Sequence, residues 1–390
     1  MPDKNDLTNI LIRQYQNYPQ LELQDLVKLI YQNEFGGGHL IQNEQEAFIR
    51  LKKEWEQICK PGASKSMAAG VAGAGPADKN TGGYYESIGN GLCRLYLDER
   101  ITPELLGCIH RMFCLTANTV KGSLSSFEEK CRLLLACCSR GDLPFSADEY
   151  HRYMNTYREK GYPVLSHSAA YHAIYRPAYR IVYESYGYYL SVIGRIAKLL
   201  TEQEYVTVAV DGQCASGKST LAWLLNSVFD AAVIHMDDFF LQPQQRTEQR
   251  LEEPGGNIDY ERFYAETAEG LLRHREFTYQ KFQCATMSLE DYVTVPRKPL
   301  RIIEGAYSLH PGCGLKPDLK IFLEISGDAQ SRCILRRNGP HMHRRFIQEW
   351  IPMENHYFEY YGIKENCHII LDNSEMISAL QEDNTKAQFS

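Results

Sequence analysis

The chain has 390 residues, with 42 basic against 49 acidic side chains, a formal net charge of −7 and 12 cysteines; that length predicts two or three domains, each able to bury a core. The acidic balance gives no case for nucleic acid or an anionic membrane as the main partner, and no stretch is apolar for long enough to span a bilayer. The opening Met1-Pro2-Asp3-Lys4-Asn5-Asp6 lacks a charged-then-apolar leader, and the scattered cysteines suit buried thiols better than disulfides or zinc, so a cytoplasmic protein is expected.

Residues 1–198 are mostly helical by pattern. In Leu21-Glu22-Leu23-Gln24-Asp25-Leu26-Val27-Lys28-Leu29-Ile30 the apolar positions recur at helical spacing. Glu34-Phe35-Gly36-Gly37-Gly38-His39-Leu40 follows, three glycines with no Lys-Ser after them, which reads as a tight turn. The stretch from about 61 to 83, rich in Gly, Ala, Ser and Lys, predicts a flexible loop. Ser166-His167-Ser168-Ala169-Ala170-Tyr171-His172 adds two histidines at i and i+5, which share a helix face poorly. A site combining Glu34, His39 and His167 is conceivable, but histidines without further spacing cues more often sit satisfied in a core or on a surface. No internal repeat is evident.

From Tyr205 the pattern becomes β-α alternation, with short β-rich runs at 205–210, 231–236, 300–304, 319–325 and 367–371. The expectation is a parallel sheet covered by helices, followed by a loose tail over 374–390. After the first of these runs come Gly212, Gln213, Cys214, Ala215, Ser216, Gly217, Lys218 and Ser219, a complete G-x-x-x-x-G-K-[ST] loop, and a helix is expected from Thr220 to Phe229. The glycines allow backbone N–H groups to turn inward around a phosphate, Lys218 reaches the outer phosphates and Ser219 is placed to ligate Mg²⁺. A nucleoside triphosphate, ATP, is therefore the expected ligand.

Met236-Asp237-Asp238-Phe239-Phe240 closes the second strand at the same sheet edge, where an acid can accept a hydroxyl proton or hold Mg²⁺, or simply cap the next segment. Asp237 is the chosen candidate. Glu304, at the end of another apolar run, can complete the magnesium shell or face solvent. Arg332, Arg336, Arg337, Arg344 and Arg345 crowd a segment interrupted by Asn338-Gly339-Pro340. They read either as a flap that neutralises a transferring phosphoryl group or as a solvated basic face.

The ordered set Gly-Gln-Cys-Ala-Ser-Gly-Lys-Ser-Thr, Asp237-Asp238-Phe239-Phe240-Leu241, Arg246-Thr247, Arg250-Leu251, Glu253-Pro254-Gly255-Gly256-Asn257-Ile258-Asp259-Tyr260 and Glu304-Gly305-Ala306-Tyr307 resembles the uridine kinase and phosphoribulokinase family over about 199–373. The resemblance implies a P-loop NTPase-type α/β kinase domain, preceded by the helical domain, that transfers the γ-phosphoryl of ATP to a hydroxyl. It implies Asp237 as general base, Ser219, Glu304 and Asp237 around magnesium, residues 212–220 on the nucleotide, and Arg336 and Arg337 in the lid. Trp350-Ile351-Pro352 and Glu354-Asn355-His356-Tyr357-Phe358 correspond to the lid's return helix. Two departures bear on the acceptor. The family's F-D-H-P segment is here Glu253-Pro254-Gly255-Gly256-Asn257, and its Tyr-x-Phe-x-x-His segment is Tyr279-Gln280-Lys281-Phe282-Gln283-Cys284, without the histidine. Asn257, Asp259, Tyr260, Tyr279 and Phe282 are the candidates to line an acceptor pocket, the aromatics being equally consistent with core. Uridine or another nucleoside is the expected acceptor, and a homo-oligomer is compatible with the sequence. The alternative is an ATP-dependent switch in which nucleotide occupancy controls the helical domain and nothing is phosphorylated.

Overall fold

The computed structural model describes residues 6–41, 43–60 and 83–377. The loop expected over about 61–83 lies outside the described residues up to 82, as does the expected tail from 378. The chain divides into two units, Met1–Ser191 and Val192–Ser390. Among the described residues no helix is long and apolar enough to cross a membrane.

The first unit begins with helices α1 (Leu7–Asn17), α2 (Leu23–Phe35) and α3 (Glu44–Ile58). In α2 the periodic Leu26, Val27, Leu29 and Ile30 are fully buried, and Asp25 in the first turn accepts a hydrogen bond from the Glu22 amide at 2.9 Å, closing a capping box. A hairpin of β1 (Tyr85–Gly89) and β2 (Leu92–Tyr96) follows. Its turn needs two residues with positive φ, and Asn90 (57°) and Gly91 (65°) provide them. Helices α4 (Pro103–Thr119), α5 (Leu124–Arg140), α6 (Ala147–Glu159) and α7 (Ala169–Tyr175) lead to β3 (Tyr179–Tyr183) and α8 (Glu184–Tyr188). β3 pairs antiparallel with β2, setting Tyr179 opposite Tyr96 and Ile181 opposite Arg94. This three-stranded sheet is a finding beyond the helical reading of the region. Its strands are short and share a core with α1, α2, α5, α6 and α7, through Ile88, Leu92, Phe127, Leu134, Tyr157 and Tyr171.

Helix α9 (Leu190–Glu202) precedes a five-stranded, all-parallel sheet in the second unit. Its strands are β4 (Val206–Gly212), β5 (Ala232–His235), β8 (Leu300–Glu304), β9 (Leu319–Glu324) and β10 (Ile369–Asp372), in the order β10-β9-β4-β8-β5. These are the five runs read from the sequence. Every residue of β8 is buried, as expected of strands covered on both faces. Helix α10 (Lys218–Phe229) packs over β4, β5 and β8. Between β5 and β8 lie α11 (Glu248–Glu252), α12 (Tyr260–Leu272) and an antiparallel hairpin, β6 (Phe277–Gln283) with β7 (Ser288–Val295). Helix α13 (Gly327–Arg345) is kinked at Gly339 (φ 75°), where Pro340 cannot continue the hydrogen-bond ladder, and α14 (Ile351–Tyr361) returns the chain to β10. Ile234, Phe239, Phe263, Tyr279, Ile303, Phe322 and Tyr357 form the core of this unit.

Candidate functional site

Strands β4, β8 and β5 lie side by side and end together, with Val210 opposite Glu304 and Glu304 opposite His235. All five parallel strands present their carboxyl ends to one edge, so the segments that follow β4, β5 and β8 are gathered there although they are far apart in the chain.

The 212–219 loop leaves β4 at Gly212, whose φ is 132°. A Cβ there would stand 2.0 Å from the Leu323 carbonyl oxygen of β9, so no other residue fits. Gly217, at φ 91°, starts α10, and Ala215 also takes a positive φ of 61°. The loop is pinned from several sides. Gln213 Oε1 accepts from the Ile325 amide (2.7 Å), and Gln330 and Asn373 donate to the carbonyls of Cys214 (3.0 Å) and Ser216 (2.7 Å). Glu354, buried on α14, accepts from the Cys214 amide at 2.9 Å. Burial pushes the Glu354 carboxyl up to about 7, against the pull of Lys218. Lys218 Nζ donates to the carbonyls of Gly212 and Gln213, both at 2.8 Å, so the ammonium lies folded over the loop. The Ser216 hydroxyl is buried with no hydrogen-bond partner among the described residues.

Across the sheet edge, Ser219 Oγ donates to Glu304 Oε2 at 3.1 Å, and the other oxygen of Glu304 lies 2.5 Å from His235 Nδ1. The bond to Glu304 raises the His235 pKa above the ordinary imidazole value, favouring a proton on the ring. Asp237 sits in the 3-10 turn after β5 with its side chain exposed, and among the described residues nothing hydrogen-bonds its carboxylate. Close packing around it, then the charge of Glu304, raise its pKa above the usual carboxylate range, while Lys218 and His235 act the other way. Asp238 differs from its neighbour. It is buried, takes the Tyr279 hydroxyl at 2.7 Å and holds that ring in the core.

The other sequence candidates fall in different surroundings. Asn257 is buried against Tyr307, and its Oδ1 has no hydrogen-bond partner among the described residues. Asp259 caps α12 by accepting from the Arg262 amide (3.0 Å) and also takes Gln245 Nε2 (2.8 Å). Tyr260 stacks on His310, centroids 4.4 Å apart, beneath the Arg250 guanidinium. Tyr279 and Phe282 are buried. Arg336 and Arg337 are exposed on α13, and Arg337 acts electrostatically on the Cys214 thiol. Thr220 lies in the first turn of α10. Thus Lys218, Ser219, Glu304 and Asp237 share the sheet edge, while Tyr279 reaches it through Asp238.

Four contributors escaped the sequence reading: His235, Glu354, Gln330 and Asn373. His235 stands two residues before Asp237 at a strand end, a position that could have singled it out. Glu354 and Gln330 carry no local signal, because only the packing of α13 and α14 against the loop gives them a role. Among the described residues no three or more His, Cys, Asp or Glu are grouped as a metal cluster. The oxygen set of Ser219, Glu304 and Asp237 nevertheless fits magnesium, which uses one or two carboxylates and keeps several waters or phosphate oxygens.

The second unit is thus an α/β sheet unit whose glycine-bearing strand-to-helix loop faces an acid pair at the carboxyl edge. A solved structure of a possible uridine kinase from Bacillus stearothermophilus is similar to part of the chain, at 18% identity with a TM-score of 0.36, over 47% of this chain and 100% of that one. A solved Thermus thermophilus protein aligns at 18% identity with a TM-score of 0.26, over 46% of this chain and 94% of that one. No family model and no curated protein matches the chain.

Proposed function

We propose that the second unit is an ATP- and magnesium-dependent phosphotransferase that passes the γ-phosphoryl group of ATP to a hydroxyl of a small molecule, uridine or another nucleoside foremost. The observation that carries this reading is the meeting of Ser219 with Glu304 at 3.1 Å beside Lys218 and the Asp237 carboxylate, which nothing among the described residues hydrogen-bonds. Loop amides and Lys218 hold the triphosphate, the ammonium exchanging its two carbonyl contacts for phosphate oxygens. Ser219 and Glu304, with Asp237 alongside, are the residues to hold magnesium, which when bound supplies positive charge against the phosphate oxygens. Asp237 orients the acceptor hydroxyl and takes its proton as the oxygen attacks phosphorus and the bond to the leaving ADP breaks. Arg336 and Arg337, on the kinked α13, offset charge on the group in transit.

Asn257, whose buried carbonyl oxygen has no hydrogen-bond partner among the described residues, supports an acceptor contact near Tyr307, and Tyr260 and Asp259 stand on the neighbouring segment. The test is ADP release by the full chain with ATP and magnesium across a panel of nucleosides, sugars and pantothenate. Acceptor-dependent ADP with a phosphorylated product supports the reading. ADP formation indifferent to every acceptor overturns it.

A further inference from the structure

Gly36 and Gly37 of the glycine run and Ser166, His167 and His172 of the histidine-bearing segment, far apart in sequence, line one pocket of about 220 Å³ within the first unit. The glycines have a packing reason. A Cβ on Gly37 would come within 2.7 Å of the Phe113 ring of α4, and Gly36 takes a φ of 61° at the end of α2. The turn therefore stays tight against α4, and His39 borders the pocket. Glu34 does not take part; it is engaged by Lys130, Ser123 and Ser126.

Helix α2 carries Asp25, Lys28 and Gln32 at spacings of three and four, which places them on one face. Asp25 is buried and accepts from His167 Nδ1 (2.8 Å), the Ser168 amide (2.9 Å) and the Ser168 hydroxyl (2.7 Å). Because a carboxylate only accepts, His167 carries its proton on Nδ1, and Nε2 takes the Tyr179 hydroxyl at 2.5 Å. Gln32 Nε2 donates to the same phenol oxygen at 3.0 Å, and Gln32 Oε1 is held by Arg94 at 2.7 and 3.0 Å. Tyr179 is thus fixed at the pocket wall by partners that are themselves fixed. Burial lowers His167 to about 3, so the ring is neutral.

Lys28 supplies the charge of the pocket. Its Nζ donates to the Leu165 carbonyl at 2.6 Å, and among the described residues no carboxylate forms an ion pair with it. Glu54, the acid of the lining, is held by Arg180 at 2.8 Å. Burial first, and then the nearby Arg94, push Lys28 down to about 8, and the charge of Asp25, which forms no ion pair with it, offsets this only in part. Leu40 and Val164, half exposed, give the same pocket an apolar border.

We propose that this pocket binds a small organic anion, a carboxylate or phosphate ester with a short apolar body, whose charge rests on Lys28 and whose polar substituent meets the Tyr179 hydroxyl. The inference stands independently of the reading of the 212–219 loop. It is tested on the full chain with benzoate and phenyl phosphate as probes, each at millimolar concentration, by following acetylation of Lys28 with peptide mass spectrometry. Slower labelling of Lys28 in the presence of either probe supports the site, and which probe protects tells carboxylate from phosphate ester. Unchanged labelling with both overturns it. In ligand-observed NMR, Lys28→Met is expected to weaken the protecting probe roughly ten- to a hundredfold, the loss of a charged hydrogen-bond partner. Tyr179→Phe is expected to weaken it less. Undiminished binding to a folded Lys28→Met protein also overturns the proposal, and if that variant does not fold, the labelling result on the unaltered chain decides.

Discussion

Ser219 and Glu304 lie 85 positions apart in the chain, yet the serine hydroxyl donates to the glutamate carboxylate at 3.1 Å. The register of β4 with β8 and of β8 with β5 brings Glu304 between the 212–219 loop and His235, so one carboxylate serves two neighbours. Glu304→Gln keeps the size and removes the charge. The expected result is a magnesium requirement for ADP release shifted upward by about tenfold or more, the weight of a charge-assisted contact. A magnesium titration of activity checks it, and an unshifted curve would take Glu304 out of the metal's surroundings.

Lys218 is the loop's cation, and its two carbonyl contacts are internal to the loop. In Lys218→Ala, ATP affinity is expected to fall by about 1.5–3 kcal/mol, the range for hydrogen bonds to charged groups. Equilibrium dialysis with labelled ATP measures this directly. Retained affinity would mean that the triphosphate lies elsewhere.

Asp237→Asn is expected to bind ATP as the unaltered chain does and to transfer about a hundred to ten thousand times more slowly, the contribution of a positioned general base. The pH dependence follows from the same residue. Close packing and Glu304 raise its pKa, and a base works only when deprotonated, so the rate falls as pH drops through a value above the ordinary carboxylate range. That acid limb should be absent from the residual rate of the Asn variant.

Glu354 links stability to pH. Its pKa rises from 4.5 to about 7 on folding, so between these values the folded unit holds a proton that the unfolded chain has released. Its contribution is therefore fully present below pH 4.5 and is lost as pH rises to about 7, amounting to about 3 kcal/mol for a shift of that size. Denaturant unfolding of the second unit across that window should show a flatter pH profile in Glu354→Gln than in the unaltered chain. Identical profiles would assign the slope to other groups.

Tyr279→Phe removes the hydroxyl that satisfies buried Asp238. The unit is expected to lose about 1–3 kcal/mol in denaturant unfolding while ATP affinity stays the same. A fall in affinity without loss of stability would instead make Tyr279 a ligand contact.

Local pattern carried much of the second unit. The β-rich runs at 205–210 and 300–304 are rich in Val, Ile and Leu because both faces of a parallel strand are covered, a property of composition alone. The hairpin in the first unit also has a local trace, Asn90-Gly91 between two short β runs, which the helical reading of residues 1–198 did not use. In Asp237-Asp238 the sequence offers two equivalent acids. Burial separates them, giving one to Tyr279 and leaving the other exposed.

By itself the sequence determined the elements whose residues act through their own backbone and near neighbours: the five parallel strands, the glycines that permit the 212–219 turn, and the lysine and serine that follow it. Tertiary structure decided what depends on distant chain segments coming together. It set Glu354 beneath the Cys214 amide, His235 against Glu304, and the Gly37 turn beside His167, because burial and charge at a point are sums over neighbours that linear order does not specify.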